Sequence, residues 1–343
     1  MATQLEPRYL PVVDRRKRPL TDLRVSVTDR CNFRCTYCMP RQVFDSKFKF
    51  LPREEILSFE EIVRLATVFA ALGVRKVRLT GGEPLLRQGL PELIQMLAAI
   101  PDLEIVLTTN GSLLAEKAEA LMRAGLHRLT VSLDALDNAV FSQMNDVDFP
   151  VERVLHGISA ARAAGLPPAN INAVIRRGVN ESAVLDLARH FKGTGHRVRF
   201  IEFMDVGLTN GWRLDQVVPA SEIVAQINEH FPLEAIGRLQ HNDVATRFRY
   251  QDGSGEIGIV ASVTQPFCGD CTRGRLSTDG KFFTCLFACE GLDLRTQLRS
   301  GVDDDHLLRA IADYWGNRED RYSEQRSANT RNRPRMEMSY LGG

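Results

Sequence analysis

The sequence predicts an α/β fold in which six strand–helix units form an open, partial parallel barrel, followed by a small C-terminal α+β extension. Short β-branched runs alternate with helical patterns between residues 21 and 206, and glycines separate several of these helices from the next strand. From about residue 207 the alternation loosens. Alternating units specify a parallel sheet with helices outside it, and right-handed crossovers can curl six of them into an open barrel.

Each of the six predicted strands is a short run rich in β-branched or aromatic residues. The strands cover residues 23–27, 76–80, 104–109, 128–133, 171–175 and 197–203. The clearest helix begins after Ser58, where Glu61 completes a capping box three residues later. Apolar residues at positions 62, 65, 69 and 72 then mark one face at helical spacing.

The remainder of the chain is predicted to form smaller pieces. Residues 212–231 contain a helix, and residues 246–263 indicate a hairpin around a glycine-containing turn. We divide the chain into an N-terminal arm (1–20), a partial barrel (21–206) and a C-terminal domain (207–343) that ends in two glycines. The basic run from Arg15 to Arg18 has no apolar segment behind it, so we interpret it as a solvated arm and not as a targeting peptide.

Composition and charge exclude several classes of protein. The 343 residues are 44% hydrophobic and 25% charged, which is typical of a globular protein with a core. At a formal net charge of +1, no global field attracts nucleic acid, so any anion site must be local. No apolar run approaches the roughly 20 residues that cross a bilayer. We expect no nucleic-acid partner, no membrane association and a cytoplasmic location.

Three of the seven cysteines lie in the segment CNFRCTYC, shortly after the first predicted strand. The odd count and the lack of a secretory signal argue against a disulfide framework. A structural zinc site closes with a fourth cysteine or histidine, and this loop contains no histidine. The spacing of Cys31, Cys35 and Cys38 therefore favours an iron–sulfur cluster with one open iron over a zinc site.

A second group, Cys268, Cys271, Cys285 and Cys289, lies near the C-terminus. Its spacing is compatible with a four-cysteine zinc ribbon or with a cluster held by three cysteines. Arg273 and Arg275 follow Cys271 closely, where a structural zinc needs no cation. Spacing alone leaves both alternatives open.

Polar and glycine-rich segments follow five of the six strands. They are the first cysteine loop, GGEP (81–84), NG (110–111), Asp134 and MDVG (204–207). In barrels of parallel strands, the chemistry lies at the carboxyl ends of the strands. We therefore expect a catalytic rim at this end of the sheet.

The segments CNFRCTYC, GGEP, TTNG and SLD together resemble the signature of the radical S-adenosylmethionine (SAM) superfamily. The resemblance implies a barrel of the radical SAM type and a 4Fe–4S cluster held by the first three cysteines, whose free iron binds SAM. It also implies that an electron from the cluster cleaves SAM to a 5′-deoxyadenosyl radical. Gly82 is implied to let SAM approach the backbone. The implied SAM contacts are Tyr37, Gly82, Glu83, Ser132 and Met204.

Longer segments resemble the GTP 3′,8-cyclase family of molybdenum cofactor biosynthesis, among them residues 258–287 and the terminal LGG. The resemblance implies that Cys268, Cys271 and Cys285 hold a second 4Fe–4S cluster, which leaves Cys289 without a role. It implies that GTP is converted to (8S)-3′,8-cyclo-7,8-dihydroguanosine 5′-triphosphate, with SAM as the second small molecule. Further implied partners are a flavodoxin- or ferredoxin-like electron donor, a downstream cyclic pyranopterin synthase and, as an option, a second copy in a homodimer.

The same resemblance implies a set of GTP contacts, because guanidinium groups match phosphate oxygens in bidentate geometry. The set comprises Arg24, Lys76, Arg78, Thr109, Asn170, Arg273, Gly274 and Arg275. The family commonly has a lysine where this chain has Asn170, which makes Arg176 or Arg177 a candidate replacement. The residues implied in catalysis are Cys31, Cys35, Cys38, Arg273, Arg275, Gly342 and Gly343.

Two other interpretations stay open. Another radical SAM enzyme with an auxiliary cluster, such as a peptide-modifying maturase, would share the superfamily motifs but would not depend on GTP. A non-enzymatic zinc-binding module would hold zinc in place of iron and sulfide.

Overall fold

Six parallel strands form the centre of one sheet, each paired with the next along the chain. The computed structural model describes residues 11–240, 243–326 and 335–342, so Gly343 lies outside the described residues. The central strands are β1 (Asp22–Ser26), β2 (Lys76–Thr80), β3 (Glu104–Thr109), β4 (Arg128–Ser132), β5 (Asn170–Ile175) and β6 (Arg197–Glu202). All six predicted strands are confirmed, with boundaries shifted by at most one residue.

The C-terminal part of the chain extends this sheet at both edges. β9 (Glu256–Val260) pairs in parallel with β6, and β10 (Arg273–Leu276) pairs in parallel with β1. The outer strands are β7 (Leu233–Gly237), β8 (Thr246–Tyr250), β11 (Lys281–Phe283) and β12 (Leu292–Asp293). β8 and β9 form the predicted hairpin. The described strands follow the order β12-β11-β10-β1-β2-β3-β4-β5-β6-β9-β8-β7 without closing, which confirms the open architecture. The domain division at residue 207 stays a prediction.

The helices between β1 and β6 connect the central parallel strands and pack their apolar faces on the sheet, whereas the later helices follow β6 or β12. The helices are α1 (Phe59–Ala71), α2 (Leu90–Ala98), α3 (Leu114–Arg123), α4 (Asn138–Asn145), α5 (Val151–Ala163), α6 (Ala183–Phe191), α7 (Ala220–His230), α8 (Leu294–Arg299), α9 (Asp304–Gly316) and α10 (Met338–Leu341). The predicted capping box at Ser58 and Glu61 is present at the start of α1. Ile62, Leu65 and Phe69 of that helix are buried in the core. Among the helices of the described ranges, none has the length and apolar character that crossing a bilayer requires.

In the described residues before β1, Arg18 does not belong to the solvated arm that the sequence suggested. Arg15, Arg16 and Lys17 are exposed, but Asp14 is 4% and Arg18 is 2% exposed. The interpretation was wrong for Arg18 because its guanidinium forms a buried ion pair with Asp14, with Nε 2.6 Å from Oδ2. Within residues 11–20, Asp14, Arg18 and Leu20 are therefore buried parts of the fold, whereas Arg15 to Lys17 face solvent.

Candidate active site

A cavity of about 340 Å³ is lined by residues of β1 to β6 and β10. Thr80, Thr109 and Ser132 reach it from the carboxyl ends of β2, β3 and β4, whereas Asp22 and Lys76 reach it from the amino ends of β1 and β2. The cavity therefore runs along the strands, with the predicted rim at one end. Its volume lies in the range of small-molecule sites.

The three cysteines of the first loop line this cavity. The amides of Cys38 and Met39 both donate to the Cys35 carbonyl at 2.9 Å, which wraps the loop into a turn. Burial raises the pKa of Cys31 to about 12 and also raises the pKa of Cys35 and Cys38. At Cys35, the charges of Asp134, Cys31 and Cys38 add to the effect of burial, so the three sulfurs lie within electrostatic reach of one another.

The donor chemistry of this loop fits an iron–sulfur cluster. Thiolates are the usual ligands of such clusters. Because burial and mutual repulsion oppose ionisation of these thiols, the thiolates need a cationic partner to form. Among residues 11–240, 243–326 and 335–342, no three His, Cys, Asp or Glu side chains converge on a position for a metal ion. The loop therefore fits an iron–sulfur cluster in the chemical type of its ligands, which are thiols, and not in a preformed arrangement of their sulfur atoms.

Glu83 lies at the carboxyl rim with both carboxylate oxygens engaged. Oε1 accepts from the Thr109 hydroxyl at 2.7 Å and from the Leu85 amide at 3.0 Å, and Oε2 accepts from the Asn110 amide at 2.7 Å. Burial raises the pKa of Glu83 to about 7, although these hydrogen bonds oppose the shift. Thr109, a predicted GTP contact, thus uses its hydroxyl to fix a predicted SAM contact.

Gly82 has a structural reason to be glycine that the sequence did not reveal. A Cβ at this position would lie 2.2 Å from the Arg30 carbonyl oxygen and 3.0 Å from the Cys31 amide nitrogen. The Glu83 amide donates to the same Arg30 carbonyl at 2.8 Å. The GGEP turn is therefore packed directly on the backbone of the cysteine loop, and close approach of this backbone already requires glycine.

Tyr37, between two predicted cluster ligands, donates its hydroxyl to Asp134 Oδ2 at 2.8 Å. The Val174 amide donates to Asp134 Oδ1 at 2.9 Å. Burial raises the pKa of Asp134 to about 6. Asp134 stood on the predicted rim without an assigned role, and the structure shows that it positions Tyr37. Ser132 and Met204, the other predicted SAM contacts, line the cavity nearby.

Strand register assembles the predicted GTP cations into two rows across β10, β1 and β2. Arg275, Arg24 and Arg78 are register partners in the upper row. The lower row, one pleat towards the amino ends, joins Arg273, Asp22 and Lys76. We refer to these six residues as the cation rows, and all six line the cavity.

The cation rows hold more positive charge than their one carboxylate balances. Lys76 Nζ lies 2.6 Å from Asp22 Oδ2. The buried Nε atoms of Arg24 and Arg78 have no hydrogen-bond partner within the described part of the chain. Burial lowers the pKa of Arg24 well below its usual value, and the charges of Arg275 and Arg78 lower it further. Such mutual repulsion favours an anionic ligand.

Arg199 on β6 is a cavity cation that sequence reasoning missed. Its Nε donates to Asn172 Oδ1 at 2.8 Å, and burial, followed by the charge of Arg78, lowers its pKa to about 9. It could have been found by the criterion applied to Arg24, because it is an arginine within a predicted strand.

Four predicted or candidate GTP contacts do not line the cavity: Asn170, Gly274, Arg176 and Arg177. A Cβ at Gly274 would lie 2.6 Å from the Phe282 ring, so this residue faces the core. Arg177 pairs with Glu222 at 2.6 Å on the surface. The cavity lining therefore gives no support to the suggestion that Arg176 or Arg177 replaces the missing lysine, and it stays a prediction. Contact between Asn170 and GTP stays a prediction.

Cys268, Cys271 and Cys285 line the same cavity as the first trio. Burial by itself would raise the pKa of Cys271, but Arg273 and Arg318 lower it to about 7. Burial raises the pKa of Cys285 to about 12, and the charge of Cys271 contributes to that shift. These two thiols therefore interact, and Cys271 is poised to ionise near neutral pH.

Cys289 is exposed and does not line the cavity. We expect Cys289→Ser to leave the iron and zinc content unchanged, because Cys289 is exposed and does not line the cavity that the other three cysteines share. Metal analysis of the purified variant beside the wild type provides the measurement. Loss of zinc or iron would establish a four-cysteine site and contradict the three-ligand assignment.

The described end of the tail returns to the cation rows. Arg275 Nη1 donates to the Gly342 carbonyl at 2.6 Å. Gly342 has a φ of +74°, and a Cβ there would lie 2.4 Å from Thr80 Cγ2. Upstream, Glu337 accepts from the Thr209 hydroxyl at 2.9 Å. The tail is thus held against a predicted GTP contact, and the predicted role of Gly343 lies outside the described residues.

Two family descriptions match the chain. The Radical SAM superfamily matches residues 25–191, and Molybdenum Cofactor Synthesis C matches residues 196–324. The crystal structure of Streptococcus suis SuiB bound to S-adenosylmethionine matches with a TM-score of 0.59 over 78% of this chain and 60% of that chain, at 15% identity. That similarity shows a common fold. Residues 25–191 therefore form a radical SAM domain.

Relatives of higher identity define the family more narrowly. GTP 3′,8-cyclase of Acidothermus cellulolyticus is 56% identical, covering 92% of this chain and 89% of that protein. The proteins of the same name are 49% identical in Xanthomonas campestris pv. campestris (97% and 98% covered) and 45% identical in Staphylococcus carnosus (97% and 99% covered). The chain belongs to the GTP 3′,8-cyclase family, which confirms the resemblance inferred from its motifs.

Proposed function

We propose that the protein converts GTP to (8S)-3′,8-cyclo-7,8-dihydroguanosine 5′-triphosphate, the first step of molybdenum cofactor biosynthesis. The observation that carries this proposal is one cavity lined by two cysteine trios and by the cation rows. The first trio adjoins the predicted SAM contacts at the carboxyl rim. The second trio adjoins Arg273 and Arg275, whose charges suit a triphosphate.

The protein's own residues bind and orient the two substrates. When bound, the two 4Fe–4S clusters and SAM supply the electrons and the 5′-deoxyadenosyl radical that takes the ribose 3′ hydrogen. Arg24, Arg78 and Arg275 offer guanidinium donors to the phosphate oxygens from neighbouring strands. Glu83, fixed by three hydrogen bonds, offers an anion or an acceptor to the SAM amino group. Holding both molecules in one cavity places the reacting groups together and keeps water from the radical.

Anaerobic incubation with GTP, SAM and dithionite, followed by mass analysis of the nucleotide, tests this function. We expect the cyclised triphosphate together with 5′-deoxyadenosine. SAM cleavage without any GTP-derived product would favour the peptide-modifying maturase. Zinc without iron and acid-labile sulfide would favour the non-enzymatic module.

The proposed reaction also defines the partners. Reductive cleavage of SAM needs an external one-electron donor of the flavodoxin or ferredoxin kind. The cyclised triphosphate is the substrate of a downstream cyclic pyranopterin synthase. Assembly as a homodimer is a further option that gel filtration tests.

Arg273→Ala and Arg275→Ala are each expected to weaken GTP binding roughly ten- to a hundredfold. A charge-assisted hydrogen bond contributes about 1.5–3 kcal/mol, which corresponds to that range. SAM binding should change little, because both side chains belong to the cation rows and neither is a predicted SAM contact. Equilibrium binding of GTP and of SAM to the anaerobic protein measures the two effects separately.

Arg177→Ala is the matched control, since Arg177 is paired with Glu222 on the surface and does not line the cavity. It should bind GTP as the wild type does. Equal weakening of GTP and SAM binding in the Arg273 and Arg275 variants would indicate a structural role instead.

A further inference from the structure

Asp14, Arg18 and Arg318 form an ionic cluster, and each is at most 4% exposed. Asp14 Oδ2 accepts from Arg18 Nε at 2.6 Å and from Arg318 Nη1 at 3.3 Å. The indole nitrogen of Trp315 donates to the Arg18 carbonyl at 3.1 Å, and the Arg318 guanidinium lies 4.5 Å from the centre of that ring. Buried ion pairs are weak sources of stability because desolvation offsets their attraction. The placement of this cluster therefore suggests another role.

Both arginines extend from Asp14 to the backbone of the second cysteine trio. Arg18 Nη1 donates to the Cys268 carbonyl at 2.7 Å. Arg318 Nη1 donates to the Cys271 carbonyl, also at 2.7 Å. One carboxylate thus ties together two arginines that are 300 residues apart in the chain, and each arginine fixes a different cysteine.

The third cysteine segment is tied to the same cluster through Asp320. Arg318 Nε lies 3.4 Å from Asp320 Oδ2, and Arg18 Nη1 donates to the Asp320 carbonyl at 2.8 Å. Asp320 Oδ2 accepts from the hydroxyl of Thr284, the neighbour of Cys285, at 2.5 Å. All three cysteine segments are therefore anchored to one buried unit.

We propose that Asp14, Arg18 and Arg318 are positioning residues for the second cluster and that their charge sets its reduction potential. This inference rests on the proposed function in taking the second trio to hold a 4Fe–4S cluster. Cluster potentials follow the net charge and the hydrogen bonds around the sulfurs. The two guanidinium groups face the carboxylates of Asp14 and Asp320, so removing any one of these charges changes the net charge beside the cluster.

Charge predicts potential shifts of opposite sign in two variants that each neutralise one charge. Arg318→Gln removes a positive charge, so the second cluster should become harder to reduce. Asp14→Asn removes the negative charge, so the same cluster should become easier to reduce. A purely structural disturbance has no reason to produce shifts of opposite sign. Arg318→Lys keeps the charge and should hold a potential near that of the wild type.

The test uses the full-length, anaerobically reconstituted protein. Iron and acid-labile sulfide are counted, iron release to a chelator is timed, and the clusters are titrated under electron paramagnetic resonance. We expect about eight irons in the wild type. Arg18→Gln should lose iron from the second site faster than the wild type, while SAM cleavage at the first cluster is retained. Arg15→Gln is the matched control, because Arg15 pairs with Glu319 on the exposed side of the same two segments.

The outcomes separate this inference from the proposed function. If the wild type binds only about four irons per chain, the second cluster is absent, and both the proposed function and this inference fail. If the wild type holds about eight, a variant that keeps only the first cluster supports positioning. Equal iron release in Arg18→Gln and Arg15→Gln, or potentials in Arg318→Gln and Asp14→Asn that stay unchanged or shift together, would overturn the inference.

Discussion

Replacing Cys35 with serine is expected to abolish reductive cleavage of SAM. Cys35 lies within electrostatic reach of both other thiols of the first loop, and its carbonyl accepts the two hydrogen bonds that shape the turn. A serine hydroxyl does not ionise near neutral pH, so it cannot replace the thiolate. Production of 5′-deoxyadenosine with dithionite should fall below detection. Iron should fall from about eight to about four per chain.

Cys271→Ser is the informative comparison for this prediction. It should retain part of the SAM cleavage, since the first loop is unchanged, but lose the cyclised nucleotide. Both variants are measured for 5′-deoxyadenosine and for the cyclised triphosphate in the same assay. Equal loss of SAM cleavage in the two variants would contradict the division of roles between the trios.

Local patterns predicted the central strands and the first helix because their causes are local. The capping box of Ser58 and Glu61 needs only a spacing of three residues. The six strands follow from short β-branched runs between helical patterns. The motifs of the first cysteine loop and the GGEP turn also lie within short segments. Their resemblance to the radical SAM superfamily could therefore be read without a structure.

The cation rows could not be assembled from the sequence alone. Arg24, Arg78 and Arg275 fall in one row only because β10 pairs with β1, and 251 residues separate Arg24 from Arg275. Strand alternation allowed each of these side chains to face either solvent or the cavity. The strand register, which exists only in the folded sheet, places the three arginines in one row that lines the cavity.

Arg18 and Gly82 also depend on contacts that the sequence did not reveal. Arg18 was assigned to a solvated arm because its neighbours Arg15 to Lys17 are charged, and nothing nearby in sequence revealed Arg318 as the second partner of Asp14. Gly82 was explained by a ligand, whereas the backbone of Arg30 already requires a residue without a side chain. Asp14 is a local partner of Arg18, but the Cys268 carbonyl and Arg318, like Arg30 for Gly82, belong to different segments of the chain.

Gly342→Ala is expected to reduce production of the cyclised nucleotide steeply while leaving iron content and solubility unchanged. The added Cβ would lie 2.4 Å from Thr80 Cγ2, and the φ of +74° disfavours any residue with a side chain. The tail must then move, and the 2.6 Å hydrogen bond from Arg275 to the Gly342 carbonyl is lost. Since Arg275 belongs to the cation rows, its geometry towards the triphosphate changes with the tail. The cyclised product and total iron are measured in parallel.

A second substitution tests whether the steric contact is the cause. Thr80→Ser removes the methyl group that the alanine Cβ would meet, so the double variant Thr80→Ser, Gly342→Ala should regain part of the lost activity. Full recovery is not expected, because the strain of a positive φ persists for alanine. Thr80→Ser alone is the control and should retain most of the wild-type rate. If Gly342→Ala cyclises GTP at the wild-type rate, the tail does not position Arg275 for the reaction.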